Sequence, residues 1–427
     1  MKQAGTSVLV ALALICVVSC AKIDDESSAV APEQPARPTV LLPTRSYEEA
    51  LSLARKSIAL VDRGQTRSAT ARSIRSERGQ CVTTPSTRSG AGSDTLMYVF
   101  NFENNDGFSV IAANRAVDPV LAVAEKGNYT YGEPTGVENF DFYMDAMAQS
   151  LAVIKPPKFD TIRTTPKFKT VEVNESRSCD PLIPVRWGQR SPYGDYCSNG
   201  YSGCVATAIA QIMAYYRFPS SFTTTYTDAP HAGETIALNW TSIISYPYVY
   251  QVPALMREIG QRVEMRYYPE YENDKRTGSS AFSYMAPDCL ISFGYSCASG
   301  LASYEIASIR TNLDETHPVY VRANDISEGG HAWIADGYIY SRIGTEYYEE
   351  ILIDNGLTLY YDYILTNSTV QTTNLVHYNW GWNGSCDGYF APGDGVASGN
   401  GYIFNGLQMI TSIRLPRIDS NLNQDFL

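Results

Sequence analysis

Basic residues and histidines are scarce in this sequence. Lysine and arginine together number 33 against 45 aspartates and glutamates, so the formal net charge is −12. Such a chain has no basic field to offset phosphate repulsion, and we expect no nucleic acid as a partner. The four histidines are scattered, and no Cys-x-x-Cys pair or close Cys/His cluster has the spacing of zinc ligands. We therefore expect neither a metal site nor a cofactor.

A long hydrophobic run is also missing. The apolar stretch SVLVALALICVVSC, residues 7–20, is shorter than the about 20 residues that a membrane-spanning helix needs. It follows Lys2 and ends on Ser19 and Cys20, which is similar to the processing site of bacterial lipoproteins. Residues 1–20 are therefore predicted to be a lipoprotein signal peptide with Cys20 as the lipidated residue. An ordinary secretory peptide cut nearby is the alternative.

This leader predicts where the protein resides. We expect an exported protein that is held at the bacterial outer membrane or cell surface through its lipid alone and is released after processing. Residues 21–45 contain the proline-rich run APEQPARP, which is typical of an extended tether.

The cysteines leave the disulfide pattern open. Nine are present, and Cys16 and Cys20 belong to the leader. Seven remain, so at least one is unpaired unless it bonds another chain. Six could form disulfides in an oxidising compartment, but the spacing does not say which.

The residues after the tether divide into two units. The first, residues 46–171, has the pattern of a small α+β domain. It begins with a helix whose Ser46 and Glu49 have capping-box spacing, continues with β-rich runs joined by a turn at Asp106-Gly107, and ends with an amphipathic helix at 138–154. Residues 154–180 hold three prolines and little apolar periodicity, and we predict a linker there that a protease can cut.

The second unit, residues 172–427, places a helix before β-rich, tyrosine- and glycine-rich sequence. No internal repeat is visible in it. A helix followed by strands favours an α+β fold over a repeating βαβ chain.

One cysteine of this unit stands where a helix should begin. Cys204 precedes the apolar positions Val205, Ile209, Ile212 and Tyr216, which recur at helical intervals up to a stop near Pro219. The unpaired N–H groups of a first helical turn stabilise a thiolate. Cys204 is therefore a candidate nucleophile, with a buried structural thiol as the alternative.

Three other segments carry groups that a cysteine nucleophile needs. His331 follows two glycines in ISEGGHAWIADGYIY and could act as a base; a polar residue at a loop–strand junction is the alternative. Asn379, in VHYNWGWNGSCDGYF, could hold an imidazole beneath Trp380, or lie in an aromatic core strand. Gln189, in RWGQRSPYG, could donate to an oxyanion.

Taken in chain order, these segments match a cysteine peptidase. The runs GCVATAIAQIMAYYRFP, GGHAWIADGY, NWGWNGSCDGYF and GQRSPYG resemble the corresponding segments of the streptopain family of papain-like cysteine peptidases. The run MYVFNFENNDGFSVIAANR resembles that family's propeptide hairpin, so the likeness covers roughly residues 46–415. It implies a papain-like α+β catalytic domain, residues 172–427, kept latent by a small α+β prodomain at 46–171.

The resemblance also implies roles for individual residues. Cys204 would be the nucleophile and His331 the general base. Asn379 and Trp380 would orient and cover the histidine. Gln189 and the Cys204 backbone N–H would form the oxyanion hole.

Further residues match substrate-contacting positions of the family. Gly330 precedes the histidine, and Ser279 lies in TGSSAF, where Ser280 is an adjacent choice. Trp382 would pack near the histidine. The run at 391–406 resembles a mobile glycine-rich loop beside the family's cleft, and its glycines favour flexibility by themselves.

The predicted function is that of a cysteine endopeptidase made as a zymogen, with its own prodomain as an intramolecular inhibitor and proteins or peptides as substrates. The resemblance implies a preference for an apolar side chain one residue upstream of the cleaved one.

Three alternative functions stay open. They are a thiol acyltransferase of transglutaminase type, which would favour an aspartate over Asn379; a non-enzymatic surface-binding lipoprotein; and a degenerate peptidase acting as a decoy.

Overall fold

The computed structural model of the protein describes ten stretches of the chain. They are residues 44–61, 73–74, 79–83, 95–154, 168–268, 278–298, 300–325, 329–354, 359–392 and 406–416. All of them belong to one compact unit, Leu42–Leu427. The predicted leader, the tether up to residue 43, the middle of the predicted linker at 155–167 and most of the glycine-rich loop lie outside the described residues. Within the described stretches, no helix combines the length and apolarity that crossing a bilayer requires.

Helices and strands alternate irregularly along these stretches. The helices are α1 Tyr47–Val61, α2 Glu138–Val153, α3 Cys204–Tyr216, α4 Trp240–Ser245, α5 Gln251–Arg262, α6 Ala286–Ser292 and α7 Ile306–Asp314. The strands are β1 Gln80–Thr83, β2 Thr95–Asn101, β3 Phe108–Ala112, β4 Val120–Ala124, β5 Phe168–Cys179, β6 Ser221–Thr223, β7 Thr235–Ala237, β8 Arg266–Tyr268, β9 Gly278–Ser280, β10 Ala302–Ser303, β11 Val319–Asp325, β12 Gly329–Asp354, β13 Leu359–Ser368, β14 Gln371–Asn379, β15 Gly388–Phe390 and β16 Gln408–Ile410. Short 3₁₀ turns lie at Glu103–Asn105 and Ser283–Met285.

The N-terminal unit folds as its sequence predicts. The backbone N–H of Glu49 donates to the Ser46 hydroxyl (3.2 Å), and the Ser46 N–H donates back to the Glu49 carboxylate (3.4 Å), so the capping box of α1 is formed. Strands β2 and β3 pair antiparallel across the predicted turn. Helix α1 buries Ala50 and Ala54 on one face of this sheet, and α2 packs on the other.

The sheet does not stop at the end of this unit. Strand β4 pairs antiparallel with β15 of the larger unit, and the path runs β1-β2-β3-β4-β15-β14-β12-β11-β16-β10. Gly388 permits the joint, because a Cβ at this position would lie 2.2 Å from the carbonyl oxygen of Val123. The two predicted units therefore share one sheet and one apolar core in this structure.

The predicted linker differs from the structure at its C-terminal end. Residues 168–179 form β5, which pairs antiparallel with β12. Of the β5 side chains whose burial is described, Val173 alone is buried. The sequence therefore lacks the alternation of apolar and polar residues from which a strand could be predicted. Backbone hydrogen bonds to β12 hold β5 in place, and the residues of β12 lie far from β5 in the sequence.

Helix α3 lies at the centre of the second unit. Its residues from Val205 to Ala214 are all buried, and they pack against α5, α6 and β12. The helix ends at Tyr216 and is followed by Arg217 in the left-handed conformation, two residues before Pro219, near which the sequence predicts the stop.

Candidate active site

Cys204 is the first residue of α3, which confirms its predicted place at a helix N-terminus. The preceding Gly203 has φ +85°, a conformation that favours glycine. A Cβ on Gly203 would lie 2.8–2.9 Å from the end of the Met265 side chain and 3.2 Å from the Cβ of Ser279. The glycine therefore lets the loop before Cys204 approach Ser279 of β9.

The Cys204 thiol is held in its neutral form. The residue is half-buried, and burial raises the pKa of its thiol to about 11. The negative charge of Glu138, at the start of α2, raises this pKa further. The N–H groups of Ala332, Val205 and Cys204 act in the opposite direction. A protonated thiol is a weak nucleophile, so this arrangement is that of a resting cysteine.

His331 lies on β12, opposite Ala323 of β11. Its imidazole packs against Phe142 of α2, with ring centroids 5.6 Å apart. The next residue, Ala332, is buried in the apolar cluster against which Cys204 packs. The structure thus brings the segment of the predicted base to the predicted nucleophile, while the imidazole ring contacts the N-terminal unit. Gly330 is exposed beside it.

Helix α2 inserts an amide between the two strands of this site. Asn139 is buried, and its side-chain N–H group donates to the carbonyl oxygens of Ala332 (2.7 Å) and Trp380 (3.1 Å). One side chain of the N-terminal unit therefore bridges the histidine segment and the Asn-Trp segment. The sequence analysis missed Asn139, because an asparagine inside an amphipathic helix carries no distinctive spacing.

Asn379 faces the nucleophile helix. Its side chain exchanges hydrogen bonds with Gln211 of α3 (3.1 and 3.2 Å), donates to the Val185 carbonyl (3.1 Å) and accepts from the Gly381 N–H (3.1 Å). These bonds fix the turn that carries Trp380. The predicted role of Asn379 as a partner of the imidazole stays a prediction.

Trp380 lies in an aromatic cluster. It is fully buried, and its indole N–H donates to the carbonyl of Cys386 (2.9 Å). Phe140 and Tyr143 of α2 contact its ring with centroids 6.1 and 5.6 Å away. The N-terminal unit therefore covers the tryptophan that was predicted to shield the histidine. Trp382 is half-buried against the same core.

Gln189 and Ser279 are both anchored to the loop before Cys204. The Gln189 carbonyl accepts from the Ser202 N–H (2.8 Å), and Gln189 itself is buried. The Ser279 hydroxyl donates to the Tyr201 carbonyl (2.8 Å). The predicted oxyanion donor and the predicted substrate contact are therefore both bonded to the short loop that leads into α3.

A buried ionic cluster joins the two units beside this site. Glu125, which follows β4, pairs with Arg186 and lies 3.5 Å from Nε2 of His377. Nδ1 of His377 is 2.6 Å from Oδ1 of Asp336 on β12. Asp387 accepts a hydrogen bond from the Trp380 N–H. The sequence analysis missed this cluster, whose members lie in four separate segments.

The pKa values in this cluster move in opposite directions. Burial would lower the pKa of His377, but Asp336 and Glu125 outweigh it and raise that pKa to about 10. Burial would raise the pKa of Glu125, but His377 and Arg186 hold it at about 2. Burial raises the pKa of Asp387 to about 7. The Glu125–His377 contact is thus an ion pair at neutral pH.

Neither a metal-ligand cluster nor a disulfide bond is present among the described residues. Within the stretches that the structure describes, no group of three or more His, Cys, Asp or Glu side chains could hold a metal ion. The described cysteines are free thiols: Cys81, Cys179, Cys197, Cys204, Cys289, Cys297 and Cys386.

Two family models match the chain. The Peptidase C10 family matches residues 187–390, and the Spi protease inhibitor family matches residues 42–151. The first match contains Gln189, Cys204, His331 and Asn379, and the second contains Asn139.

Relatives with known names agree with these models. Streptopain of Streptococcus pyogenes is 24% identical over 367 residues, which are 73% of this chain and 80% of streptopain. The Thiol protease/hemagglutinin PrtT of Porphyromonas gingivalis is 25% identical over 354 residues, 72% of this chain and 36% of that protein.

Solved structures from Prevotella intermedia also match. A prointerpain A fragment is 21% identical, with a TM-score of 0.47 and coverage of 79% of this chain and 98% of that one. Active interpain A is 24% identical, with a TM-score of 0.35 and coverage of 55% and 94%. On the two family models and the named relatives, this chain belongs to the streptopain-like C10 family of papain-like cysteine peptidases and carries an inhibitor-type prodomain ahead of its peptidase domain.

Proposed function

We propose that this cysteine peptidase is an endopeptidase made as a zymogen, in which Cys204 is the nucleophile and His331 the general base. The observation that supports this assignment most directly is the packing of Cys204, the first residue of a buried helix, against the apolar cluster that contains Ala332, the residue after His331. The side-chain amide of Gln189, whose backbone is bonded to the loop before α3, and the Cys204 N–H would donate to the oxyanion.

The reaction would proceed through a thioester. The Cys204 thiolate attacks the scissile carbonyl carbon, and the oxyanion develops toward Gln189 and the Cys204 N–H. His331 gives its proton to the leaving amine as the C–N bond breaks. Water then attacks the thioester, His331 takes the water's proton, and the C–S bond breaks to release the acid and regenerate the Cys204 thiolate beside the protonated His331. Loss of one oxyanion donor typically costs about 10²–10³ in kcat.

Helix α2 would impose latency in three ways. Glu138 disfavours the Cys204 thiolate, Phe142 holds the imidazole on the prodomain side, and Asn139 occupies two carbonyl oxygens at the site. Removal of the prodomain would release all three constraints together. We place the activating cut in the part of the predicted linker that precedes β5, before residue 168.

Substrate selection would depend on the apolar surface beside Gly203. The end of Met265 and the Ser279 side chain meet there, one residue from the nucleophile. This surface suits an apolar side chain one position upstream of the cleaved residue.

Export and lipid anchoring at Cys20 are also part of the proposal, and they rest on the leader sequence. Labelling cells with a radioactive or clickable fatty acid tests them. The full chain should incorporate the label, and the Cys20→Ser chain should not. Equal incorporation by both chains would refute lipidation at this residue.

The catalytic assignment is tested on three full-length chains: wild type, Cys204→Ala and His331→Ala. We expect the wild type to trim itself and cleave casein, and both variants to stay full length and inactive. A thiol-reactive peptide probe should label Cys204 in the processed wild type. Equal trimming of wild type and Cys204→Ala in pure form would refute self-activation. Transfer of the acyl group to an added amine without hydrolysis would support an acyltransferase instead.

A further inference from the structure

Gln211 links the nucleophile helix to two other segments of the active site. It lies seven residues after Cys204 on α3 and is fully buried. Its carbonyl oxygen accepts from the Trp187 N–H (2.9 Å) and from the Asn379 amide (3.2 Å), and its N–H group donates to Asn379 Oδ1 (3.1 Å). One side-chain amide thus connects three parts of the chain.

The first of these parts carries the predicted oxyanion donor. Trp187 is two residues before Gln189. The hydrogen bond from its N–H to Gln211 therefore fixes the position of this segment along the axis of α3. Thr207, one turn before Gln211, adds a weaker bond from its hydroxyl to the Gly188 carbonyl (3.4 Å). The segment that presents Gln189 is therefore aligned by the same face of the helix that presents Cys204.

The second part is the turn that carries Trp380. Asn379 is held by Gln211, and Gly381 has φ +75° with Thr207 Cγ2 3.0 Å from where its Cβ would lie. The turn therefore lies directly on α3. Any change in the amide pair would move Trp380 relative to the nucleophile helix.

We propose that Gln211 is a positioning residue for peptide hydrolysis, which keeps the Gln189 segment and the Asn379–Trp380 turn in register with Cys204. Two helical turns separate it from Cys204, about 10 Å along the axis, so it acts through Trp187 and Asn379 and does not touch the substrate. This role rests on the proposed function of Cys204.

The chemistry of the site requires an amide. Asn379 presents both a donor and an acceptor to residue 211, and Trp187 presents a donor, so the partner must accept twice and donate once. Methionine has a similar shape but provides neither group. A glutamate carboxylate accepts but does not donate, and its negative oxygen would face Asn379 Oδ1. A protonated glutamic acid restores the donor.

The experiment compares processed wild type with Gln211→Met, Gln211→Glu and the control Asn312→Leu. Asn312 on α7 is a buried amide that donates to the Ser308 carbonyl (2.8 Å) and accepts from the Ser412 N–H (2.7 Å). Its replacement removes a comparable amide away from the site. Each full-length chain is processed with trypsin where it does not trim itself, and active sites are counted with a peptidyl thiol-reactive inhibitor.

We expect Gln211→Met to lower kcat per titrated site by about 10–100-fold, since a displacement of about 1 Å at a reacting group can cost 10²-fold. Asn312→Leu should lose thermal stability but keep kcat within about twofold of wild type. The kcat of Gln211→Glu relative to wild type should rise as the pH falls, because burial raises the pKa of the inserted carboxyl and its protonated form donates to Asn379. Gln211→Met should show no such recovery.

Other charges near α3 are shared by wild type and variants, including Asp387, whose pKa is raised to about 7, so the ratio of kcat values cancels their titration. They are the ion pairs Arg186–Glu125, His377–Asp336, Arg262–Glu258 and Arg257–Asp228, together with Asp387 at the Trp380 N–H.

The outcomes separate this inference from the proposed function. A wild-type chain that hydrolyses casein alongside an equally active Gln211→Met overturns the positioning role alone. A flat pH ratio for Gln211→Glu also overturns it, and this result is decisive where Gln211→Met does not fold. A wild-type chain whose Cys204 neither labels nor hydrolyses refutes the proposed function, and the positioning role with it.

Discussion

Replacing Glu125 with glutamine removes the only prodomain carboxylate described in the buried ionic cluster. Glu125 is 7% exposed and His377 is 3% exposed, so this contact is largely desolvated. Truncating one partner of such a pair typically costs about 2–5 kcal/mol. Arg186 is 39% exposed and regains water, which favours the low end of this range. A loss of about 2 kcal/mol corresponds to opening of the prodomain on the order of 30-fold more often.

The assay measures how often the full-length chain exposes Cys204. Both chains carry His331→Ala, so that self-cleavage does not remove the prodomain under the proposed mechanism. Iodoacetamide is added at low concentration, where alkylation follows the population of the open form, and Cys204 labelling is quantified by peptide mass spectrometry. Glu133→Gln, an exposed prodomain acid, is the matched control and should alkylate at the parent rate.

The effect of Glu125→Gln should depend on pH in a defined way. The raised pKa of His377 means that its stabilisation is complete below about 6.5 and is lost as the pH rises through about 10. The lowered pKa of Glu125 means that its stabilisation is complete above about 4.5 and is lost as the pH falls through about 2. The two chains should therefore differ most between about pH 4.5 and 6.5. Equal alkylation rates in this window would refute the argument.

Three further changes test the prodomain contacts. Glu138→Gln should lower the pKa of Cys204 and speed its alkylation in the full-length chain, because a nearby negative charge is removed. Asn139→Ala should shorten the lag before self-activation, which a casein assay follows. Gly388→Ala should lower the urea midpoint by the equivalent of about 1–3 kcal/mol, because its Cβ would meet the Val123 carbonyl at 2.2 Å.

Each of these three predictions has an outcome that would contradict it. An unchanged pH profile of alkylation in Glu138→Gln would show that this charge does not act on the thiol. Ser150→Ala, a buried position on the same helix α2, is the control for Asn139→Ala; equal lags in the two chains would contradict a specific role for Asn139. A urea midpoint of Gly388→Ala that matches wild type would show that the β4–β15 joint can shift without cost.

Local patterns were sufficient for much of the fold. The capping box at Ser46, the turn at Asp106-Gly107 and the apolar periodicity after Cys204 each predict structure from neighbours in the chain, and all three are confirmed. The prediction of a linker was wrong for residues 168–179, which form β5. This strand depends on pairing with β12 and carries little apolar alternation of its own. Its correct assignment requires knowledge of the partner strand.

The sequence by itself determined that a cysteine begins a buried helix, that a capping box opens α1 and that β2 and β3 pair across a turn, because these features depend on residues close together along the chain. Only the tertiary structure decided that Asn139 bonds to Trp380, 241 residues away, and that Glu125 meets His377. Contacts of this kind arise when distant strands pair into one sheet. Their energies depend on burial and distance in space, and the order of residues along the chain encodes neither directly.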